Sequence, residues 1–161
     1  SCSYCCGSHN FTMPPGNIED LLMERGRSAG ARPMRLQEDS LYEKVYPEEM
    51  QCPHMGIHPS DPGIVCCLVY DEHDRGREFE SFFHGTCRVF RCQAWRDLSD
   101  EQVLFASRLM GDWFYYALFI NDIEEVQEMH AAWGNPEDVP PEELESLRER
   151  LVQRRIDEDG K

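Results

Sequence analysis

Apolar residues return at helical spacing along the second half of the chain. Val103, Ala106, Leu109, Met110, Trp113, Ala117 and Ile120 all keep to one stripe. Steps of three and four predict an amphipathic helix. Ser99 opens it, and Gln102 three positions on completes a capping box. The stripe predicts the longest helix of the chain, running to about Ala132 with Gly111 as its weak point. Gly134-Asn135-Pro136 stops it. A last helix begins near Pro141, with proline in the first position and Glu142 and Glu143 in the first turn. Leu144, Leu147, Leu151 and Ile156 anchor it. Arg148, Arg150, Arg154 and Arg155 lie toward its C-terminal half, where cations suit the helix dipole.

The first half patterns differently. Pro14-Pro15-Gly16 is a break signal. Asn17 then reads as a helix cap, with Asp20 at the third position and Ile18, Leu21 and Leu22 on one face, and the helix ends near Gly26. Residues 27–40 read as a loop broken by Gly30 and Pro33. Residues 41–92 are dense in Pro, Gly, His and Cys; 64–70 is the best strand, and Arg88-Val89-Phe90 is a second short extended piece. The predicted fold is mainly α with extensive irregular structure. A metal-organised cysteine-rich domain occupies 1–96, and a helical, acidic C-terminal region packs on it over 97–161.

Charge narrows the functions. The chain of 161 residues carries 31 acidic and 16 basic side chains, a net charge of -15. The imbalance sits in the tail: residues 1–96 have a net charge of -4 and residues 97–161 of -11. A phosphate backbone or an anionic membrane surface would be repelled, which excludes nucleic acid as the expected partner. No stretch approaches the ~20 apolar residues of a membrane span. No signal peptide is visible, so a cytoplasmic setting is the expectation; the first residue is Ser1 rather than Met, which leaves room for an upstream segment and keeps the compartment open. Asn10-Phe11-Thr12 fits the N-glycosylation triplet, a pattern that chance often produces.

All eight cysteines fall in the first 92 residues: Cys2, Cys5, Cys6, Cys52, Cys66, Cys67, Cys87 and Cys92. A chain of this size does not need cross-links to fold. Cys2-x-x-Cys5-Cys6 turns sulfurs toward one centre, and Gly7 lets the backbone bend after them. Thiolate is the ligand that zinc and iron–sulfur clusters share. All eight are candidate metal ligands. His54 and His58 are candidates to complete a mixed site, and His9 and His84 also lie near thiols; His73 and His130 have no local argument.

The ordered set Cys2-x-x-Cys5-Cys6, Cys52-Pro53-His54-Met55, Cys67-Leu68-Val69-Tyr70 and Cys87-Arg88-Val89-Phe90-Arg91-Cys92 resembles the zinc- or iron-chelating cysteine-cluster proteins called YkgJ-like. Their pattern is Cys-x-x-Cys-x-x-Cys-Cys, then Cys-Pro-Phe-Leu, Cys-x-Ile-Tyr and Cys-Arg-x-Phe-Pro. The resemblance implies a first thiol just upstream of Ser1. Here Cys66 is additional, His54-Met55 replaces Phe-Leu, and Arg91 stands where Pro is expected. The resemblance covers about residues 1–96. It implies a metal cluster, iron–sulfur or zinc, and fixes no reaction.

No phosphate loop, nucleophile elbow or His-Glu-x-x-His helix supports catalysis. The expected function is a cysteine-cluster protein acting in electron transfer or as an accessory subunit of a larger complex. A secreted, disulfide-stapled binding module is the alternative, and a redox or metal-dependent enzyme a third. Trp113-Phe114-Tyr115-Tyr116 with Phe119 surrounds most of a helix with aromatics. Phe114, Tyr115 and Phe119 leave the inward stripe, which makes 113–120 the expected contact with a protein partner or a second copy. A core helix that packs against the cysteine-rich domain is the preferred reading of the stretch as a whole, with the contact as a role in addition to it.

Overall fold

The first helix, α1 (Pro15–Arg27), starts on Pro15 rather than Asn17. Proline suits the first position because its φ is already helical and its missing N–H is not needed there. Asn17 therefore sits inside the first turn, its N–H donating to the Pro14 carbonyl at 3.0 Å. The computed structural model describes residues 2–28, 42–68, 87 and 89–155 in full and 156–157 in backbone. The loop reading of 29–40, the strand residues Val69 and Tyr70, Arg88, and the candidate ligands His73 and His84 lie outside the described residues.

Among the described residues the fold is mainly helical, with six α-helices and one two-stranded sheet. Two compact units divide it: the described residues within Ser3–Arg91 form one, and those within Cys92–Lys161, together with Cys2, form the other.

In the first unit α1 packs on an antiparallel hairpin, β1 (Met55–His58) and β2 (Asp61–Cys67). The strand at 64–70 is thus shifted toward the N-terminus, and its partner β1 carries too little alternation to announce itself. The register pairs Met55 with Cys67, Gly56 with Cys66 and Ile57 with Val65, and becomes irregular at His58. Phe11, Ile18, Leu22, Met55, Ile57 and Val65 are the buried apolar residues here. Helix and strand meet almost backbone to backbone: a Cβ on Gly26 would lie 2.1 Å from the Ile57 carbonyl oxygen. Any larger residue would push α1 off the hairpin.

The second unit is a helical bundle: α2 (Gln93–Asp97), α3 (Asp100–Met110), α4 (Trp113–Asn121), α5 (Ile123–Trp133) and α6 (Pro141–Asp157). The expected long helix over 99–132 is in fact three. Its capping box is present, with Ser99 and Gln102 exchanging side-chain and backbone bonds. Gly111 then turns left-handed at φ 70 and ends α3, and Asp112 caps α4 by accepting from the Tyr115 N–H at 2.8 Å. Asp122 does the same for α5 through the Glu125 N–H. The longest described helix is α6, of 17 residues.

The aromatic stretch is core. Phe119 is 0% and Phe114 5% exposed, and only Tyr115 among the three is half-open. This corrects the expectation that Phe114 and Phe119 need a partner: α4 is apolar all round because α3, α5 and α6 all pack on it. Arg150 and Arg154 reach across to Glu125 and Asp122 at the start of α5, and Arg148 donates to the Met110 carbonyl at the end of α3 at 3.0 Å. They tie helices together besides suiting their own dipole. No helix among the described residues is long and apolar enough to cross a membrane.

Candidate metal centre

Cys5 and Cys6 sit in a 3-10 turn, Tyr4–Cys6, bracketed by two left-handed residues, Ser3 at φ 52 and Gly7 at φ 83. Ser3 is unusual there, since residues with a Cβ seldom adopt positive φ. Its hydroxyl donates to the Val65 carbonyl on β2 at 3.0 Å, which holds the turn against the hairpin. Gly7 has no alternative residue, because a Cβ would lie 1.9 Å from the Met50 carbonyl oxygen. That close approach lets the Cys52 N–H donate to the Cys6 carbonyl at 2.9 Å.

Cys52 opens a turn closed by the Met55 N–H, which donates to the Cys52 carbonyl at 3.3 Å. The hairpin register then sets Cys67 opposite Met55, and the Leu68 N–H donates to the His54 carbonyl at 2.8 Å. The segment leading into Cys52 is fixed by buried amides. Asn10 Nδ2 donates to the Tyr46 and Glu49 carbonyls at 3.0 and 3.2 Å, and Gln51 Nε2 donates to the Asn10 carbonyl. Asn10 is 3% exposed with its amide nitrogen so committed, which makes Asn10-Phe11-Thr12 a structural element rather than a glycan acceptor.

The thiols feel one another. A hydrogen bond with Cys6 draws the Cys5 thiol down to about 7, so it ionises first. The same bond pushes Cys6 up, and burial and the charges of Cys5, Cys52 and Cys67 add to it. Burial raises Cys52, with a further push from Cys87 and relief from the Arg25 guanidinium. Cys87 is raised by burial and then by Cys5. Five thiols from four chain segments therefore form one electrostatic group: Cys5, Cys6, Cys52, Cys67 and Cys87.

The other three are placed elsewhere. Side chains alternate along a strand, so Cys66 faces away from Cys67. Cys2 and Cys92 belong to the second unit, where their charges, after burial, raise the Tyr116 hydroxyl. All eight cysteines are thiols.

Of the histidines, His54 is buried in the Cys52 turn and its pKa is lowered by burial and then by Arg25. His9 is buried beside Ser8 Oγ at 2.8 Å and stacks on Tyr4. His58 is exposed and its Nδ1 accepts from the Ser60 N–H at 3.2 Å, a turn cap. His130 packs edge-on against Phe105.

In donor chemistry the five-thiol group suits a soft metal. In spacing it does not yet meet one, since among the described residues no three His, Cys, Asp or Glu side chains stand at ligand separation. Sequence reasoning missed Arg25, which donates through one Nη1 to the carbonyls of Cys52 and Met55, both at 3.3 Å. The signal was present: Ile18, Leu22 and Arg25 stand on one helical stripe, which puts a cation on the buried face. Comparison with known proteins finds no family model, no curated relative and no solved structure that matches this chain.

Proposed function

We propose that Cys5, Cys6, Cys52 and Cys67, with Cys87 beside them, hold a soft-metal centre, iron–sulfur or zinc. On this reading the protein is a non-catalytic cysteine-cluster protein of the YkgJ-like kind, acting in electron transfer or as an accessory subunit. The observation that carries it is the convergence of separate cysteine segments through specific bonds. Cys52 N–H meets the Cys6 carbonyl, Ser3 ties the Cys5-Cys6 turn to β2, and the hairpin register brings Cys67 beside the Cys52 turn.

Thiols that raise one another's pKa are a poor resting state, and a cation that replaces their protons relieves the repulsion. When bound, an iron–sulfur centre would supply one-electron exchange, and zinc a cross-link among the segments. Iron–sulfur is the preferred occupant, because thiols outnumber what one zinc needs. A protein partner would meet exposed side chains such as Trp95, 66% open, rather than the buried Phe114 and Phe119. A cytoplasmic setting suits a protein whose thiols must stay reduced.

Metal analysis with an absorption spectrum, on protein purified without oxygen, tests the reading. Stoichiometric iron with sulfide and visible absorption is the expected result. Colourless protein with stoichiometric zinc would move the proposal to its other arm. Intact disulfides and no metal would overturn it in favour of a disulfide-stapled module.

A further inference from the structure

Arg25 is 4% exposed, at the buried edge of α1. Its Nη1 bridges the carbonyls of Cys52 and Met55, the two residues that begin and end the turn before β1. Phe11, itself fully buried, lies under the guanidinium at 5.8 Å from Cζ to ring centroid. The helix cannot slide to relax this arrangement, because Gly26 is already seated against the Ile57 carbonyl. A fixed cation thus stands at the backbone of a group of thiols.

We infer that Arg25 is a positioning residue of the thiol centre: it clamps the Cys52 turn and lends the site a permanent positive charge that favours an anionic thiolate–metal complex. The inference rests on the proposed metal centre. Its logic is electrostatic. A four-thiolate centre on a divalent metal carries net negative charge, and a buried anion needs opposite charge or donors nearby. Groups that support ligands without touching the metal change affinity by about 10–100-fold when removed. Arg25 meets that description through the Cys52 and Met55 carbonyls. Its guanidinium cannot lose its proton, so the charge is constant across the pH range in which thiols bind metal.

Cobalt(II), whose thiolate complexes have their own absorption, serves as probe on the full chain. Arg25→Met, which keeps length and loses charge, should weaken cobalt binding about 10–100-fold, and Arg25→Lys should recover most of the loss. Thermal melting run in parallel separates binding from folding. If Arg25→Met does not fold, Arg25→Gln replaces it in the comparison with Arg25→Lys. A folded neutral variant with wild-type cobalt affinity overturns the role of Arg25 alone. So does a folded Arg25→Lys that binds no better than the neutral variant, since charge would then not be the cause. Failure of the wild-type chain to form any cobalt–thiolate complex overturns both this inference and the metal centre beneath it.

Discussion

Gly7 shows how one residue decides whether the cysteine segments can meet. It has φ 83, and a Cβ there would collide with the Met50 carbonyl oxygen. Gly111 has a similar φ of 70 but open space where its Cβ would be. The pair separates two costs. Gly111→Ala should lose about 1–2 kcal/mol from the left-handed backbone alone. Gly7→Ala should lose that and about 1–3 kcal/mol more, because the backbone at Met50 must move. Urea unfolding followed by a probe within each unit reads both, and equal losses would show that the contact with Met50 is immaterial. At this scale the sequence displayed the chemistry but not its selection. Cys2-x-x-Cys5-Cys6-Gly7 was legible as a thiol turn. That Cys67 joins it while adjacent Cys66 does not depends on strand register, which no local pattern shows. Arg25 was legible only as a cation on an apolar stripe, and its partners are carbonyls that any sequence would supply.

Elements were read well by face and poorly by end. The residues Val103, Met110, Trp113 and Ile120 all lie on helices, yet the chain breaks once between them, at Gly111, and again just after them, at Asp122. Periodicity reports which side of a helix is buried; caps determine where it stops. Asp112 and Asp122 each stand just before a helix and each accept a backbone N–H three residues on. That signal is weaker than a stripe of large apolar side chains. The hairpin was half legible for the same reason: Ile57 and Val65 are apolar, but four residues of β1 are too few to show alternation. The joint at Asp122 is testable. Its carboxylate caps α5 and pairs with Arg154 from α6. The ion pair is partly solvent-exposed and adds little, so Asp122→Ala should cost about 1 kcal/mol, mostly from the lost cap. A change within about 0.5 kcal/mol of zero would mean that packing of Phe119 and Val126, rather than the cap, sets the break.

Over the whole molecule the two units differ in what stabilises them. The second unit has an ordinary apolar core, from Phe105 through Phe119 to Leu151, and ion pairs between helices. Among the described residues the first unit has a smaller apolar core, beside a group of thiols that raise one another's pKa; on the proposed reading, part of its stability belongs to the metal. The pH response of the metal-free chain follows from the same groups. Cys6, Cys52 and Cys87 have pKa values raised in the folded state above the ordinary 9.0. Their contribution is full below pH 9 and is lost as pH rises toward the folded values, because the unfolded chain gives up those protons more easily. Cys5, lowered to about 7, works the other way, and its contribution is lost as pH falls through 7. A metal that has already displaced the protons removes the alkaline loss. Chelation of metal-loaded protein should therefore raise amide exchange in residues 2–28 and 42–68, most strongly above pH 9, while the helices after Ser99 keep their protection. Amide hydrogen exchange by mass spectrometry, with and without chelator at pH 7 and above 9, measures this directly. If residues 2–28 and 42–68 are equally protected before and after complete metal removal at both pH values, the thiol group is not what organises that unit, and its small apolar core is sufficient alone.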